Sequence, residues 1–367
     1  MIDKVYVFSP ELTLLGFLDV LTGLTWEEEY ADTGSFELWT PLTETTRSLL
    51  IEDNLVWNGS VTAGIIESKD LNLSIEGEES IHVRGRLCSS YLERRVLYPV
   101  MKKSGKSSTV LRAILDKYVI SPSDSNRKLS QIIQETSDPE LGDLIQYQCL
   151  GDSVLDACRD ISQASNLGFR LKFLPKQKQF LFEVYQGINH TVNQTINVPV
   201  LFSSELDDLL DSSYSSNRSE FRNFAYIAGE DSGGDRKVTS IGAESGLNRR
   251  ELFVDARDLQ SENEDGSVMS SSQYTSLLQE RGREKLTEYQ DIQTFSTSLR
   301  VFGQTAYTYG TDYNLGDIVT VFDTRLSIRV NAQITAVTHS YDGDGESLEL
   351  TLGYAQPTIA KKLQRRG

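Results

Sequence analysis

The strongest constraint on this chain is a pattern that occurs twice. From Thr311 to Val321 it reads TDYNLGDIVTV and continues through RVNAQITAVTHSYDGDGESLELTLG; from Ile51 to Arg86 it reads IEDNLVWNGSVTAGIIESKDLNLSIEGEESIHVRGR. In both copies an acidic residue, Asp53 or Asp317, precedes a short apolar run, an alternating strand, an acidic Gly-containing turn, Glu-Ser and a second alternating strand. Asp53 and Asp317 are 264 positions apart, and Glu79-Ser80 and Glu346-Ser347 are 267 apart. So small a drift across one hairpin marks a duplicated β module. The upstream flanks agree, since Ser35 to Thr40 (SFELWT) and Thr294 to Val301 (TFSTSLRV) are both short strand-like runs. The same barrel or sandwich is therefore expected once at each end. Leu348, Leu350 and Leu352 alternate with Glu349, Thr351 and Gly353, the period of two of a half-buried strand. Asp342-Gly343-Asp344-Gly345 has the residues of a tight hairpin.

Between these ends the character changes. Residues 4–40 read as strands (VYVF, LTLLGFLDV, LTWEEEY, SFELWT), and Thr43 is placed to cap a short helical turn. After Tyr98-Pro99, helical spacing appears in Ser107 to Tyr118 and again in Asp152 to Ser165, followed by two strands around Pro175-Lys176. β character returns in NFAYIAGE and RRELFVDARD, separated by GEDSGGDRK, and Ser271 to Tyr289 is the longest helix candidate, weakened by Gly282. The division expected is 1–95 for a first β-barrel, 96–189 for a middle α+β domain with helices near 107–118 and 152–165 and a hairpin at 167–186, 190–357 for a second β-barrel with its helix near 271–289, and a basic tail at 358–367.

Charge and motifs exclude more than they suggest. With 36 basic against 53 acidic residues, a formal charge of −17, the chain is unsuited to gripping nucleic-acid phosphates or an anionic membrane. Cys88, Cys149 and Cys158 are odd in number and lack CxxC spacing, which predicts buried thiols and neither a disulfide framework nor a zinc cage. No basic leader and no run of 18 apolar residues is found, so synthesis in a cytoplasm without membrane insertion is expected. His82, His190 and His339 fall in no metal motif, and Gly151-Asp152-Ser153 reads as a helix cap in preference to an esterase nucleophile. Asp342, Asp344 and Glu346 form too short a loop for an EF-hand. Trp26, Trp39 and Trp57 read as core or subunit interface before a sugar-stacking face. No catalytic residue, metal ligand or cofactor is assigned.

Four segments together, LTWEEEYADTGSFELWTP, IHVRGRLCSSYLERRVL, NFAYIAGE…GLNRRELFVDARDL and DYNLGDIVTV, resemble the tail-hub (baseplate hub or tail-associated) proteins of long-tailed phages, including Gp37-like siphovirus tail proteins and the contractile-phage baseplate hub. The resemblance runs through nearly the whole chain. It implies a mainly β, α+β fold with two related tail-tube-like barrels and a homotrimeric, pseudo-sixfold ring. The implied function is a structural hub at the tail tip that adapts a hexameric tube and lets DNA pass; the alternatives are a tail-associated peptidoglycan hydrolase or a host carbohydrate-binding tail protein. Implied partners are two further copies, the tail tube or distal tail rings, and downstream tip or receptor-binding proteins, all in the virion tail. The motif of the repeated barrel comprises Asp53, Gly64 and Gly85 in the first copy and Gly316, Asp317, Ile318, Val319, Val321 and Gly353 in the second. Gly316 is assigned a turn, Asp317 local backbone amides, and Ile318, Val319 and Val321 the barrel interior.

Overall fold

The computed structural model describes residues 4–353 except 74–78, 138, 206–208, 233–234, 263–266, 291, 300–305, 326–327 and 344. In chain order the first elements are β1 (Val5–Phe8), β2 (Leu14–Leu18), β3 (Gly23–Glu29), β4 (Ser35–Pro41), α1 (Glu44–Leu49), β5 (Leu55–Trp57), β6 (Gly64–Ile65), β7 (Ser68–Leu73) and β8 (Glu79–Arg86). There follow β9 (Met101–Lys106), α2 (Ser107–Leu115), β10 (Ile132–Gln134), β11 (Leu144–Cys149), α3 (Val154–Ser165), β12 (Gly168–Leu174) and β13 (Gln179–Tyr185). The last third holds β14 (Leu201–Ser203), β15 (Leu209–Asn217), β16 (Phe224–Ser232), β17 (Asp235–Ile241), β18 (Glu251–Asp255), α4 (Ser271–Thr287), β19 (Ile292–Leu299), β20 (Ile318–Asp323), β21 (Ile328–Asp342) and β22 (Gly345–Gly353). The chain is mainly β, as expected.

Contacts group these elements into two discontinuous units, one drawn from described residues of 4–90, 168–215 and 293–353, the other from those of 91–167 and 216–292. This differs from the three consecutive segments expected. The hairpin β12–β13 belongs with the first unit, and residues 216–292 belong with the second. Periodicity reports each helix or hairpin locally, whereas membership of a unit is decided by long-range packing. The basic tail at 358–367 lies outside the described residues.

Unit 1 is built on one long sheet whose strands follow the order β15-β19-β22-β21-β3-β4-β8-β7, with β20 pairing β21 and β14 off that path. A second sheet, β2-β1-β5-β6, packs with it over the core. Among the described residues these ladders close no barrel, because β7 and β15 end the path unpaired. The order contains the same four-strand set twice in the same direction: β7-β8-β4-β3, then β21-β22-β19-β15. Their registers match. Phe36 pairs Gly85 and Leu38 pairs Val83, as Phe295 pairs Leu352 and Thr297 pairs Leu350. Ser68 pairs Arg84 and Leu73 pairs Glu79, as Ala336 pairs Thr351 and Tyr341 pairs Glu346. Each set carries its own core, in which Phe36, Val56, Ile66, Ile81 and Val83 take the places that Phe295, Val319, Ile334, Leu348 and Leu350 hold in the other. Two equivalent cores are the physical counterpart of the sequence repeat.

In unit 2, β9 pairs β11 antiparallel beneath α2 and α3, and the three-stranded sheet β17-β16-β18 lies against α4. Gly282, read from sequence as a weak point of α4, is a contact point: a Cβ there would stand 2.6 Å from the Ile227 side chain of β16. Its lack of a side chain lets helix and strand approach.

Between α3 and α4, Asp160 sits among Glu284, Lys285 and Glu288, with the Lys285 Nζ 4.0 Å from its carboxylate. Burial first, and then the Glu284 carboxylate, pushes Asp160 up to about 8. Burial also raises Glu284, against the opposing pull of Arg281 and Lys285. The folded unit thus holds protons that the unfolded chain releases near an ordinary aspartate pKa of about 3.9. Stability of this unit is therefore expected to fall as pH rises from about 4 through 8 and to level off above. Urea midpoints measured from pH 5 to 9 should decline in the parent chain and decline less in Asp160→Asn; equal slopes would rule out the buried acid as the cause.

Candidate assembly interface

Both copies of the repeated motif are built around one backbone exchange. In the second, Gly316 N–H donates to the Ile334 carbonyl at 2.8 Å and Ile334 N–H donates to the Asp317 carbonyl at 2.8 Å. In the first, Asp53 N–H donates to Ile66 at 2.9 Å and Ile66 N–H donates to Asn54 at 2.9 Å. Asp53 is thus the counterpart of Gly316, both with positive φ (67° and 96°), and the buried Asn54 is the counterpart of Asp317. The repeat is real, and its register at this point is one residue off from the acid-to-acid match read in the sequence. Gly64 stands where the second copy has Ala332, Gly85 where it has Leu352, and Gly353 where the first has Arg86, so these glycines are not shared.

The side chains at the exchange differ. Asp317, 2% exposed, accepts from Ile188 N–H at 2.6 Å and Asn314 N–H at 2.7 Å, and the His190 Nε2 lies 3.6 Å away. Asn54 instead donates its Nδ2 to the Leu49 carbonyl at 2.9 Å. Asp317 therefore anchors the segment entering β14, a connection that no local pattern announced. Val319 and Val321 are fully buried and Ile318 is half-buried. Gly316 turns at positive φ under Tyr30, whose ring a Cβ would meet at 2.3 Å.

The two four-strand sets join at the β3–β21 ladder, where Glu28 faces Val337, Trp26 faces His339 and Leu24 faces Tyr341. Glu28 points inward; burial pushes its carboxyl up, opposed by Arg170, and Thr62 donates to it at 3.3 Å. Tyr341 packs against the core of the first set. At the free end of the sheet, β7 holds the position that β21 holds at the junction, so Leu71 and Leu73 correspond to His339 and Tyr341. Both lie on the core side of the sheet and yet are exposed, Leu73 to 71%. The opposite edge, β15, exposes Tyr214.

The other face of the sheet is polar. It presents Thr25, Glu27, Glu37, Thr338, Ser340 and Glu349 at alternate positions, together with Trp39 stacked on His82 at 4.4 Å. Trp26 is core and Trp57 packs edge-on against Phe8 and Phe173. The three cysteines are free and buried, and burial pushes each thiol up to about 12. Ser153 caps α3, accepting from Asp156 N–H at 3.0 Å. Among the described residues no group of three or more His, Cys, Asp or Glu is placed to hold a metal, and no helix is long and apolar enough to cross a membrane.

The profile of the Siphovirus ReqiPepy6 Gp37-like protein family matches residues 4–354. Among solved structures, the chain resembles a tail protein from Neisseria meningitidis MC58, with a TM-score of 0.59 at 15% identity over 96% of each chain. It also resembles the prophage MuSo2 tail protein from Shewanella oneidensis, with a TM-score of 0.59 at 12% identity over 95% of this chain and 98% of that one. The prophage tail protein gp18 from Listeria monocytogenes EGD-e is similar at a TM-score of 0.56 and 13% identity, over 99% and 98% of the two chains. No curated protein matches the sequence.

Proposed function

The chain belongs to the Siphovirus ReqiPepy6 Gp37-like protein family, and on that premise we propose that it is a structural hub of a phage tail tip. Three copies close a ring of six four-strand sets, which matches a hexameric tube and leaves an axial passage for DNA. The observation that carries this reading is the β3–β21 ladder. One chain already contains a head-to-tail joint between two equivalent sets, and its free ends, β7 and β15, are the two halves of a second such joint. A head-to-tail interface either closes into a ring or grows into a filament, and two sets per chain reach sixfold pseudo-symmetry with three chains. Unpaired sheet edges with exposed leucines are otherwise an aggregation hazard.

The polar face supports the passage. With Glu27, Glu37 and Glu349 turned away from the core, the ring wall repels phosphates where a basic wall would hold them. Replacing these three by Lys is expected to make the assembled ring retain double-stranded DNA at about 50 mM salt and release it by about 200 mM. Filter-binding titration checks this, and retention by the parent ring would contradict the reading.

Light scattering across a concentration series, with negative-stain imaging, tests the function itself. A trimer with a six-lobed central ring is expected, and a strict monomer at every concentration would overturn it. A cell-wall zymogram separates the hub from the hydrolase alternative, since the hub leaves the gel uncleared.

A further inference from the structure

We propose that Val96, Tyr98 and the guanidiniums of Arg95 and Arg127, all in unit 2, form a docking surface for an acidic segment of another protein. The inference does not rest on the ring. Residues 96–98 run beside 151–153: Leu97 N–H donates to the Asp152 carbonyl at 2.8 Å, Gly151 N–H donates to the Leu97 carbonyl at 3.1 Å, and Val96 bridges Ser153. Leu97 is buried. Its neighbours on an extended segment therefore turn outward, and Val96 is 47% and Tyr98 68% exposed. Gly151 on the adjacent segment leaves room beside them, since a Cβ there would meet nothing within 4 Å.

The two guanidiniums hold this segment and lack a countercharge. Arg127 donates to the Val96 carbonyl at 2.5 Å and to the Tyr98 carbonyl, and Arg95 donates to the Arg127 carbonyl at 2.5 Å and the Arg94 carbonyl at 2.7 Å. These acceptors are neutral. Among the described residues no carboxylate pairs with Arg95 or Arg127, whereas Arg86, Arg170, Arg236, Arg281 and Arg325 each meet one. Burial lowers Arg95, and the charges of Arg127 and then Arg94 lower it further, with no acid opposing them. An anion is what the pair lacks.

The apolar side chains decide which anion. The phosphates of duplex DNA offer Val96 nothing apolar to cover, and a chain of formal charge −17 repels a uniform polyanion at a distance. An acidic protein segment supplies both parts: carboxylates for the guanidiniums, and apolar side chains to lie on Val96 and Tyr98. Tyr and Arg together are also what protein interfaces favour. Because carbonyl bonds already fix both arginines, little order is lost on binding.

Fluorescence anisotropy of the full chain with a labelled random copolymer of glutamate and tyrosine tests this, beside labelled polyglutamate and a short DNA duplex, at about 0.15 M salt. The copolymer is expected to bind, polyglutamate to bind more weakly, and the duplex not to bind. Tyr98→Ser and Arg95→Gln should each weaken copolymer binding roughly tenfold. Lys176→Gln, which removes the same charge at an exposed residue of the β12–β13 turn, should leave it unchanged. Circular dichroism confirms that each variant is folded. No binding of the copolymer, equal or tighter binding of the duplex, or copolymer binding that survives both variants would overturn the proposal. So would a change in the chain's own association in Tyr98→Ser or Arg95→Gln, read by sedimentation velocity, since it would assign the surface to a second copy.

Discussion

A chain carrying Leu71→Asp and Leu73→Asp is expected to stay folded and to remain monomeric at every concentration at which the proposed ring of the parent chain is detected. Both leucines are exposed in the single chain, so exchanging them removes little of its own packing. In the proposed ring they would occupy the places of His339 and Tyr341 at the internal joint, where Tyr341 contributes to a neighbouring core. Burying a leucine is worth about 1.5–3 kcal/mol. Losing two such contacts and placing two carboxylates in the joint weakens every interface of a closed ring at once. At about 3 kcal/mol per interface and three interfaces, the trimerisation constant drops by roughly six orders of magnitude. Sedimentation velocity reads the result directly. A double variant that still forms trimers with unchanged affinity would show that β7 is not at an interface.

The second large effect is expected inside unit 1. Asp317→Ala leaves the Ile188 and Asn314 N–H groups without their acceptor in a site that is 2% exposed. Losing the acceptor of two part-buried hydrogen bonds costs about 0.5–1.5 kcal/mol each, so the change is expected to cost about 1–3 kcal/mol, a sizeable part of the stability of a domain. Asn54→Ala, at the corresponding place in the first set, removes only a hydrogen bond to the Leu49 carbonyl and should cost about 1 kcal/mol. Asp317→Asn keeps one acceptor oxygen and should fall between. Urea denaturation followed by tryptophan fluorescence measures all three, and an Asp317→Ala midpoint equal to that of Asn54→Ala would contradict the anchoring role.

These two sites also mark where the sequence was legible. The repeat could be read because strand alternation and the Glu-Ser of the hairpin are local, and SFELWT and TFSTSL do occupy equivalent ladders. Its fine register could not. Matching Asp53 to Asp317 follows side-chain charge, whereas the backbone exchange follows conformation and equates Asp53 with Gly316 through their positive φ. Helix caps such as Thr43 and Ser153 were readable for the same reason as the hairpins: donor and acceptor lie within three residues. What escaped was long-range. The β9–β11 ladder joins residues about forty positions apart that show little alternation. The discontinuous unit 2 depends on packing between segments separated by a whole hairpin and two strands. The exposed leucines of β7 look like any alternating strand until their place at the end of a sheet is known.

In the proposed ring, β7 of one chain joins β15 of the next as β21 joins β3 within a chain. The most direct measurement is photocrosslinking from benzophenone-phenylalanine placed at position 73 of the full chain, followed by peptide mapping. The expected result is a ladder of covalent products ending at three chains, with crosslinks mapped between position 73 and residues 209–217 of another copy. Crosslinks confined to a single chain, or mapped to a different surface of the second copy, would contradict the claim.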